Sequence, residues 1–390
     1  MKILRTLTIV TGLLSLAAQG MSARAAQRPG EESFVYFGTY NRTAGKGIYA
    51  YRFQPASGRL TSLGLMAETP HPSFLAVHPN RRALYAVNEH EGVDVPGRHN
   101  TVSAFAIDAK TGGLTFLNKV SSRGEGPCHL SIDKSGGMML VANYRSGSVV
   151  SLPIQPDGRL GEATSFHQHR GKSVDPVRQD GPHAHFITLS PDERYALTAD
   201  RGLDQVLVYR VDRPGRGLTP NTPPFATLQP GSGPRHLAFH PTEDYVYVNG
   251  EIDSTVTALA YNANAGSLKA FQTISTLPAG FAGTNTTAEI QIDSAGRFLY
   301  VSNRGHDSLA MFAIETATGR LRFVEHVATN GRVPRYFTFD PTGRYVFAGN
   351  QGSNTVVLYR VDASTGHLTL LQTLTDVPEP VCVVFVPAAR

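Results

Sequence analysis

A short cassette that recurs along the chain constrains its fold more than any other feature of the sequence. The clearest copy, residues 334–351, contains an alternating strand, an Asp-Pro-x-Gly turn, and a second strand with a polar exit. A third strand at 355–359 and a Thr-Gly-x-Leu hairpin at 365–368 follow it. Alternating apolar residues bounded by Gly, Pro, Asp and Asn are strand and turn signals. We therefore predict a repeating antiparallel β-sheet unit.

The copies recur at a spacing of roughly 45–55 residues, which is the range of a four-stranded propeller blade. A single sheet of this kind cannot bury both of its faces, so neighbouring copies must stack into a ring. The sequence therefore predicts an all-β fold, a seven-bladed β-propeller. Six copies start near Pro72, Pro127, His183, Pro234, Thr287 and Pro334.

The seventh copy is split between the two ends of the chain. Residues 33–40 match a second strand with no first strand before it, and residues 381–386 match a first strand with nothing after it. We expect the two pieces to pair in one blade, because this closes the ring and removes exposed sheet edges that invite aggregation. The repeats leave no room for a second domain, so residues 26–390 are predicted to form one propeller.

The first 25 residues are typical of an export signal. Positive charges in residues 1–5 precede an apolar stretch at 7–18, and Ala23-Arg24-Ala25 fits an A-x-A cleavage site. The apolar stretch is short for a membrane span. We expect cleavage after Ala25, no stable membrane insertion, and a periplasmic or secreted protein; a retained membrane anchor is the alternative.

Net charge and composition exclude several classes of function. The chain has 36 Lys and Arg against 31 Asp and Glu. Loss of the first 25 residues leaves 33 basic and 31 acidic residues, a net charge of +2, which gives no basis for nucleic-acid binding. Cys128 and Cys382 allow no disulfide framework, and we expect both to be reduced and buried. Tryptophan is absent, which argues against WD repeats and tryptophan-docked quinones. We expect no cofactor, and a monomer.

Alignment of the copies gives two columns of residues. Equivalent positions of a radial repeat lie at equal height around the axis, so each column predicts a ring. The first column, two residues into each copy, is Phe74, His129, His185, His236, Glu289, Tyr336 and Cys382. The second column, at the exit of the second strand, is Tyr40, Glu89, Tyr144, Arg201, Glu251, Arg304 and Gln351. The end of strand two lies beside the start of strand one in a meander, so both rings surround the same opening.

Titratable side chains that face a shared axis are costly without a purpose. Arg235 and Arg335 each precede the first-column residue of their own copies and add to the cluster. Convergent His, Arg and Glu groups in a central funnel predict an active site there. The alternative is that polar axial residues only bind water and neighbouring loops.

Long loops on a rigid repeat scaffold usually carry function. The longest irregular segment is predicted at 164–182, and it contains several basic and amide side chains. Shorter ones are an insertion at 91–100 and a loop at 278–286. Six polar residues of the longest segment are of special interest, namely His167, His169, Arg170, Lys172, Arg178 and Gln179.

Six short motifs follow one another at specific positions. They are Gly38-Thr39-Tyr40, Asn88-Glu89, Asn143-Tyr144, Arg178-Gln179 with His183-Ala184-His185, Gly233-Pro234-Arg235-His236, and Ser302-Asn303-Arg304-Gly305. Together they resemble the lactonase family of seven-bladed propellers, which includes a bacterial 6-phosphogluconolactonase and is similar to the fungal carboxymuconate lactonizing enzyme. The resemblance covers nearly all of the chain after residue 25.

The resemblance implies a site in the central funnel built from a His, Arg residues and a Glu. By motif these catalytic residues are His185, Arg235, Glu251 and Arg304. Family members often have Asp-Leu-Gly where this chain has Asp200-Arg201-Gly202, which adds a cation at the rim. The candidate substrate-binding residues around the site are His183, His236, Arg178, His129, Glu289, Arg335 and Glu89.

Lactone hydrolysis needs a base to activate water, donors for the developing oxyanion, and cations that hold an acidic substrate. Either Glu251 or His185 can be the base, and Arg235 and Arg304 can bind an oxyanion or carboxylate. We predict a hydrolase that opens a small-molecule sugar lactone such as 6-phosphogluconolactone or gluconolactone. The export signal makes a phosphorylated substrate less expected, since phosphorylated sugar lactones are mainly cytoplasmic.

Two other functions remain open at this point. A cycloisomerase of a muconate-type carboxylate uses the same groups, and a propeller can also bind a sugar or a partner without turnover. The chain has no Gly-x-Ser-x-Gly elbow. His183, His185, His129 and His236 could bind a metal, but no acidic ligand cluster accompanies them, so no metal site is expected.

Overall fold

The computed structural model describes residues 31–42, 45–89 and 100–388. Within these residues, 28 β-strands form seven four-stranded antiparallel sheets, and there is no helix. The predicted all-β fold and the seven-bladed propeller are confirmed. The predicted signal at 1–25 and the insertion at 91–100, apart from its last residue, lie outside the described residues. No helix in the described part of the chain is long and apolar enough to span a membrane.

Each blade is a meander whose first strand is innermost. Blade 1, the split blade, contains β28 (Pro380–Pro387), β1 (Ser33–Thr39), β2 (Gly47–Gln54) and β3 (Arg59–Glu68). Blade 2 contains β4 (Leu75–Val77), β5 (Ala83–Asn88), β6 (Thr101–Ile107) and β7 (Leu114–Ser121). Blade 3 contains β8 (Pro127–Ile132), β9 (Met138–Asn143), β10 (Ser148–Pro153) and β11 (Ser165–Gln168).

The remaining four blades follow in chain order with the same meander. Blade 4 contains β12 (Ala184–Leu189), β13 (Tyr195–Asp200), β14 (Gln205–Asp212) and β15 (Gly217–Thr227). Blade 5 contains β16 (Pro234–Phe239), β17 (Tyr245–Gly250), β18 (Thr255–Asn262) and β19 (Ser267–Ser275). Blade 6 contains β20 (Thr286–Ile292), β21 (Phe298–Arg304), β22 (Ser308–Ile314) and β23 (Leu321–Ala328). Blade 7 contains β24 (Pro334–Phe339), β25 (Tyr345–Asn350), β26 (Thr355–Val361) and β27 (Leu368–Leu374).

The two ends of the described chain close the ring. β28 pairs antiparallel with β1, so that Phe34 lies opposite Val386 and Phe37 lies opposite Val383. All seven residues of β1 are buried, because this strand lies between β28 and β2 and is covered by sheets on both faces. The predicted pairing of the split copy is confirmed.

The Asp-Pro-x-Gly turn of the repeat is built around its aspartate. In blade 7, Oδ1 of Asp340 accepts hydrogen bonds from the backbone N–H groups of Arg344 and Tyr345, and Oδ2 accepts one from Thr342. Gly343 has φ = +69°, a left-handed conformation that glycine adopts without strain. Aspartate supplies the acceptors and glycine the backbone conformation, which explains why both recur in the cassette.

A recurring hydrogen bond joins each blade to the next. A tyrosine near the start of the second strand donates its hydroxyl to a backbone carbonyl in the outer hairpin of the following blade. The six pairs are Tyr36 with Gly112, Tyr85 with Gly158, Tyr195 with Asn264, Tyr247 with Gly319, Tyr300 with Gly366, and Tyr345 with Pro55. At the interface between blades 3 and 4, Ser151 Oγ donates instead to the carbonyl of Arg216, at 2.9 Å.

First strands carry a β-bulge close to the funnel. In blade 3, Pro127 and His129 of β8 pair with adjacent residues of β9, so that Cys128 is left unpaired. In blade 7, Pro334 and Tyr336 of β24 pair with adjacent residues of β25 in the same way. Similar irregularities occur in blades 1, 4, 5 and 6. A bulge adds one residue and re-aims the neighbouring side chains. The bulges thus occur at the first-column positions where the sequence places His, Arg and Glu.

One prediction is wrong in part. The segment predicted to be irregular from 164 onward begins with β11, the outer strand of blade 3, which pairs with β10. Its sequence, Ser-Phe-His-Gln, has only one apolar residue, so the alternating pattern that identifies a strand is missing. Edge pairing with β10 supplies the order instead. Cys128 and Cys382 are free and buried, as predicted.

Removal of residues 381–390 is expected to prevent folding, because it deletes most of β28 and reopens the ring. Val381, Val383 and Val386 are each at most 2% exposed, and burial of each contributes about 1.5–3 kcal/mol. Their combined loss is comparable with the whole stability of a typical domain. Circular dichroism should show no cooperative melting transition. A control that lacks only residues 389–390 should melt like the full chain; equal melting of both truncated forms would contradict the prediction.

Candidate active site

The carboxylate of Glu251, just after β17, is contacted by four arginines at the funnel opening. Its Oε1 lies 3.0 Å from Arg178 Nη2 and 3.0 Å from Arg201 Nε. Its Oε2 lies 2.9 Å from Arg235 Nε and 3.2 Å from Arg304 Nη2. The Glu251 side chain is only 10% exposed. We call these five residues the arginine cage.

Four separate elements deliver the arginines. Arg201 and Arg304 are second-column residues of blades 4 and 6, on either side of Glu251 in blade 5. Arg235 lies at the bulge of β16, in the same blade as Glu251. Arg178 comes from the loop that joins β11 to β12. The structure therefore brings together residues of both columns and of the longest loop.

The cage fixes the charge state of its carboxylate. The cationic side chains of Arg304, Arg201 and Arg235 hold the pKa of Glu251 far below its usual range, although burial alone acts in the opposite direction. Glu251 is therefore an anion throughout the neutral range. Four arginines surround one glutamate, so the cage retains excess positive charge. Arg304 Nε is buried and has no hydrogen-bond partner among the described residues.

One member of the cage, Arg235, is also held by a chain of hydrogen bonds to groups outside the cage. Its Nη1 donates to the carbonyl of Ala288 at 2.7 Å and lies 3.1 Å from His236 Nε2. Arginine only donates, so His236 Nε2 must accept, and the ring proton is on Nδ1. That nitrogen lies 3.0 Å from Glu289 Oε2 and donates to it. The chain therefore requires a neutral His236.

Burial sets the protonation of this lower pair. It lowers the pKa of His236 well below the usual value, and the positive charge of Arg235 acts in the same direction. Burial also raises the pKa of Glu289 to about 8. At neutral pH both groups are therefore mainly uncharged. At neutral pH Glu251 is therefore charged and Glu289 is mainly uncharged, although both lie in the same funnel.

His185 lies on the bulge of β12 and is buried. Its ring centroid is 5.3 Å from those of Tyr144 and His236. Burial, with the charge of Arg235, lowers its pKa well below the usual value, so the imidazole is neutral. Its Nδ1 has no hydrogen-bond partner among the described residues. A neutral imidazole with an unpaired nitrogen can accept a proton.

An aromatic layer closes the funnel below these groups. The His129 ring lies between Phe74 and Phe186, with centroid separations of 4.1 and 4.0 Å. Its Nδ1 accepts a hydrogen bond from the backbone of Ile187 at 3.3 Å. Tyr336 packs edge-to-face against Phe74 at 5.7 Å. First-column residues from opposite sides of the ring therefore meet at the axis, and His129 is part of that floor.

A fifth arginine, Arg335, lies at the bulge of β24 in blade 7. The guanidinium of Arg335 lies 5.1 Å from the ring centroid of Tyr40, whose hydroxyl donates to Glu89 Oε2 at 2.8 Å. Arg335 is partly exposed. It makes no ion pair or hydrogen bond with any residue in the described ranges, which separates it from the cage arginines.

His183 lies at the rim of the opening. Its ring stacks on Tyr144, with centroids 4.7 Å apart and planes inclined by 17°. Its Nδ1 lies 3.1 Å from the backbone carbonyl of Tyr144, and its Nε2 lies 3.7 Å from Asp180. Across residues 31–42, 45–89 and 100–388, no group of three or more His, Cys, Asp or Glu is arranged to hold a metal ion.

Two residues of the site were missing from the sequence-based candidates. The sequence identifies Arg201 only as an extra cation at the rim, but in the structure it contacts Glu251 directly. Tyr144, whose hydroxyl is hydrogen-bonded to Arg201 Nη1, was not a candidate at all. Both residues belong to the second column, and their position in that column is the sequence feature that could have identified them.

A pocket of about 210 Å³ lies away from the funnel, at the far ends of the first strands of blades 3 and 4. Met138, Leu189 and Val211 form its apolar part. Glu193 in its wall is already paired with the backbone of Lys134 and with Arg213. The convergent unpaired polar groups lie in the funnel, so the funnel remains the candidate active site.

A family model described as "Lactonase, 7-bladed beta-propeller" matches residues 34–385. The chain belongs to this lactonase family. A 6-phosphogluconolactonase of Bacillus subtilis (strain 168) is 38% identical over 350 residues, which cover 90% of this chain and 97% of that protein. The predicted family and its enzymatic character, that of a lactonase, are confirmed.

Solved structures of similar fold and sequence carry names that are consistent with this family. A periplasmic gluconolactonase of Pseudomonas aeruginosa is similar to this lactonase with a TM-score of 0.86 and 34% identity, covering 92% of this chain and 100% of that one. A putative 6-phosphogluconolactonase of Bacteroides fragilis has a TM-score of 0.84 and 32% identity, covering 92% and 99% of the two chains.

Replacement of Glu251 by Gln is expected to destabilise the lactonase by about 3–5 kcal/mol, because it leaves four clustered cations without a counter-charge. Urea unfolding at pH 7 measures this change. The control is Glu325→Gln, which removes a largely exposed contact to His367 and should cost at most about 1 kcal/mol. Equal, small losses in both variants would contradict a neutralising role for Glu251.

Glu289→Gln is expected to change how stability depends on pH. The pKa of Glu289 is about 8 in the folded lactonase, above the usual 4.5. As pH rises from about 4.5 to 8, the unfolded chain loses this proton and the folded chain keeps it, so the free energy of unfolding falls. Gln cannot ionise, so the variant should lose less stability between pH 5 and pH 8 in urea unfolding.

The control for this pH experiment is Glu162→Gln, which changes an exposed glutamate and should follow the wild type. If Glu289→Gln lost as much stability as the wild type between the two pH values, the buried carboxyl would not be the group that titrates.

Proposed function

We propose that this lactonase hydrolyses a sugar lactone, gluconolactone or 6-phosphogluconolactone, in the central funnel. The observation that carries the proposal is the arginine cage, in which four cations converge on one carboxylate at the opening. Ester hydrolysis develops negative charge on the carbonyl oxygen and produces a carboxylate. Guanidinium groups fixed before the reaction stabilise both without reorganising.

His185 is the better base of the two candidates. Both oxygens of Glu251 contact cations and its pKa is held far below the usual range, so proton uptake by Glu251 is strongly unfavourable. Burial and Arg235 lower the pKa of His185 as well, but its ring is neutral and its buried Nδ1 has no partner among the described residues, whereas both Glu251 oxygens are paired. The negative charge of Glu251 acts to raise the pKa of His185, so it also stabilises the imidazolium that forms when His185 takes a proton.

The reaction then proceeds as a base-assisted addition of water. His185 takes a proton from water while the water oxygen bonds to the lactone carbonyl carbon. Arg235 and Arg304 hold the resulting oxyanion. The ring C–O bond then breaks, and the leaving alkoxide receives the proton from His185. The product is an open-chain hydroxy acid, whose carboxyl group releases its proton at neutral pH and remains near the arginines as a carboxylate.

The other candidate residues serve binding in this proposal. The unpaired Arg335 faces the polar end of the substrate, and Glu89 accepts from sugar hydroxyls beside Tyr40. Arg178 and His183 contact the substrate from the rim, and Arg178 also keeps Glu251 in place. Three candidates, His129, His236 and Glu289, do not contact the substrate in this proposal. They support the funnel floor and hold Arg235 in place.

We propose further that the protein is exported to the periplasm, with cleavage after Ala25, and acts as a monomer. The tripartite N-terminal sequence supports export, and one similar solved structure is named as a periplasmic gluconolactonase. Gluconolactone is therefore the first substrate to test. Mass spectrometry of the periplasmic protein should find Ala26 at its N-terminus; a protein that still carried Met1 would contradict export with cleavage.

The activity is tested with a panel of aldonolactones in weak buffer containing a pH indicator. Acid release faster than the spontaneous reaction, and saturable with lactone, supports the proposal. The panel contains gluconolactone, galactonolactone and 6-phosphogluconolactone, with heat-denatured protein as the blank. Saturable binding without acid release would support a sugar-binding propeller instead. A muconate-type carboxylate is tested separately, and its isomerisation would support a cycloisomerase.

His185→Asn is expected to lower kcat by about 10²–10⁴-fold while KM changes little, because the variant loses the base and keeps most of the shape. The matched control is His129→Asn, in which the amide oxygen can accept the Ile187 N–H as Nδ1 does. The control should fall by less than tenfold. Equal losses of kcat in both variants would reject His185 as the base.

A further inference from the structure

The loop that carries Arg178 is attached to the rest of the site through one carboxylate, that of Asp204. Asp204 lies in the turn between β13 and β14, three residues after Arg201, and its side chain is buried, with 1% of the residue exposed. It forms no ion pair with any residue in the described part of the chain. Its oxygens are used entirely for hydrogen bonds to two neighbouring segments.

The first of these segments is the loop between blades 3 and 4. Asp204 Oδ2 accepts a hydrogen bond from Ser173 Oγ at 2.5 Å, and Oδ1 accepts one from Gln179 Nε2 at 2.8 Å. Gln179 also donates to the backbone carbonyl of Arg201 at 2.9 Å. Arg178 is adjacent to Gln179 and contacts Glu251, so the position of Gln179 sets that of the Arg178 backbone.

The second segment is the connection from blade 4 to blade 5. The backbone N–H groups of Gly231 and Gly233 each donate to Asp204 at 2.7 Å, and Ser232 Oγ donates at 3.2 Å. Gly233 lies two residues before Arg235. Its carbonyl also accepts the backbone N–H of Glu251 at 2.7 Å, so this segment supports both partners of the Arg235–Glu251 contact.

We propose that Asp204 is a positioning residue of the active site, which sets Arg178 and Arg235 on opposite oxygens of Glu251. Three segments that are distant along the chain meet at this one carboxylate, and each of them contains or directly precedes a cage arginine. All five partners of the side chain are donors, so an acceptor-only carboxylate fits and an amide does not. The assignment of a catalytic effect rests on the proposed function of the funnel.

The same turn position in blade 7 offers a control. Asn354 has φ = +55°, close to the +54° of Asp204, and its Oδ1 accepts the backbone N–H of Glu379 in the next connection. It therefore joins a turn to the following blade as Asp204 does. Within the described ranges Asn354 forms no hydrogen bond with the arginine cage, and its blade supplies none of the cage residues.

The test compares Asp204→Asn with Asn354→Ala in the full-length protein, at a temperature where both are fully folded. Asp204→Asn is expected to reduce kcat/KM for gluconolactone by about 10–100-fold, as for catalytic groups displaced by about 1 Å. It should also shift the NMR signals of the Nε–H groups of Arg178 and Arg235. Asn354→Ala should change kcat/KM by less than twofold and leave both signals in place.

Ser173→Ala is a milder variant that keeps the proposal testable if Asp204→Asn does not fold. It removes one of the five hydrogen bonds and should shift the Arg178 signal more than the Arg235 signal, since Ser173 belongs to the Arg178 loop. Unchanged arginine signals in both Asp204→Asn and Ser173→Ala would overturn the inference. So would a loss of kcat/KM no larger in Asp204→Asn than in Asn354→Ala.

The two proposals fail in different ways. A wild-type protein that hydrolyses no lactone contradicts the proposed function, while the arginine signals still report whether Asp204 positions the cage. A wild-type protein that hydrolyses gluconolactone, with signals and turnover that do not respond to Asp204→Asn, supports the function and overturns the positioning role.

Discussion

The pairing of β28 with β1 is the contact on which the rest of the structure depends, because it turns a row of seven sheets into a closed ring. It joins Phe37 to Val383 and buries every residue of β1. Closure gives each blade two neighbours and brings every first strand to the axis. Glu251 and Arg304, from adjacent blades, can meet at 3.2 Å only because the ring sets the angle between those blades.

The angle between blades is reinforced at the outer rim. Buried tyrosine hydroxyls such as that of Tyr247 bond to a carbonyl of the next blade, and each such bond contributes about 1 kcal/mol. The exception lies between blades 3 and 4, where Ser151 replaces the tyrosine. The long connection that leaves this interface carries Arg178 into the funnel. The interface between blades 3 and 4, which lacks the tyrosine contact, is thus next to the loop that carries Arg178. Hydrogen bonds to Asp204, which are not part of the repeat, hold this loop in place.

Sequence reasoning predicted the features that the repeat determines. The blades, the split copy and both columns follow from periodicity, since equal positions in a radial repeat have equal height. The same reasoning could not predict which column members touch. Contact between Arg201 and Glu251 depends on side-chain direction, and the path of the loop to Arg178 depends on tertiary hydrogen bonds to Asp204. The strand β11 was missed for a related reason, since its order comes from its partner strand and not from its own apolar pattern.

The protonation states of the funnel residues also could not be predicted from the sequence, because they depend on burial and on which charged groups meet in the folded chain. Glu251 and Glu289 are the same residue type in the same funnel, yet one is surrounded by four arginines and the other contacts a neutral histidine. Nearby cations favour the charged form and burial favours the neutral one. The arginine cage therefore holds one negative charge among four positive ones, and its net charge is positive. A field of that sign, fixed before the substrate arrives, stabilises an oxyanion more than a neutral carbonyl, so the uneven protonation of the two glutamates supports the lactone hydrolysis that we propose for the funnel.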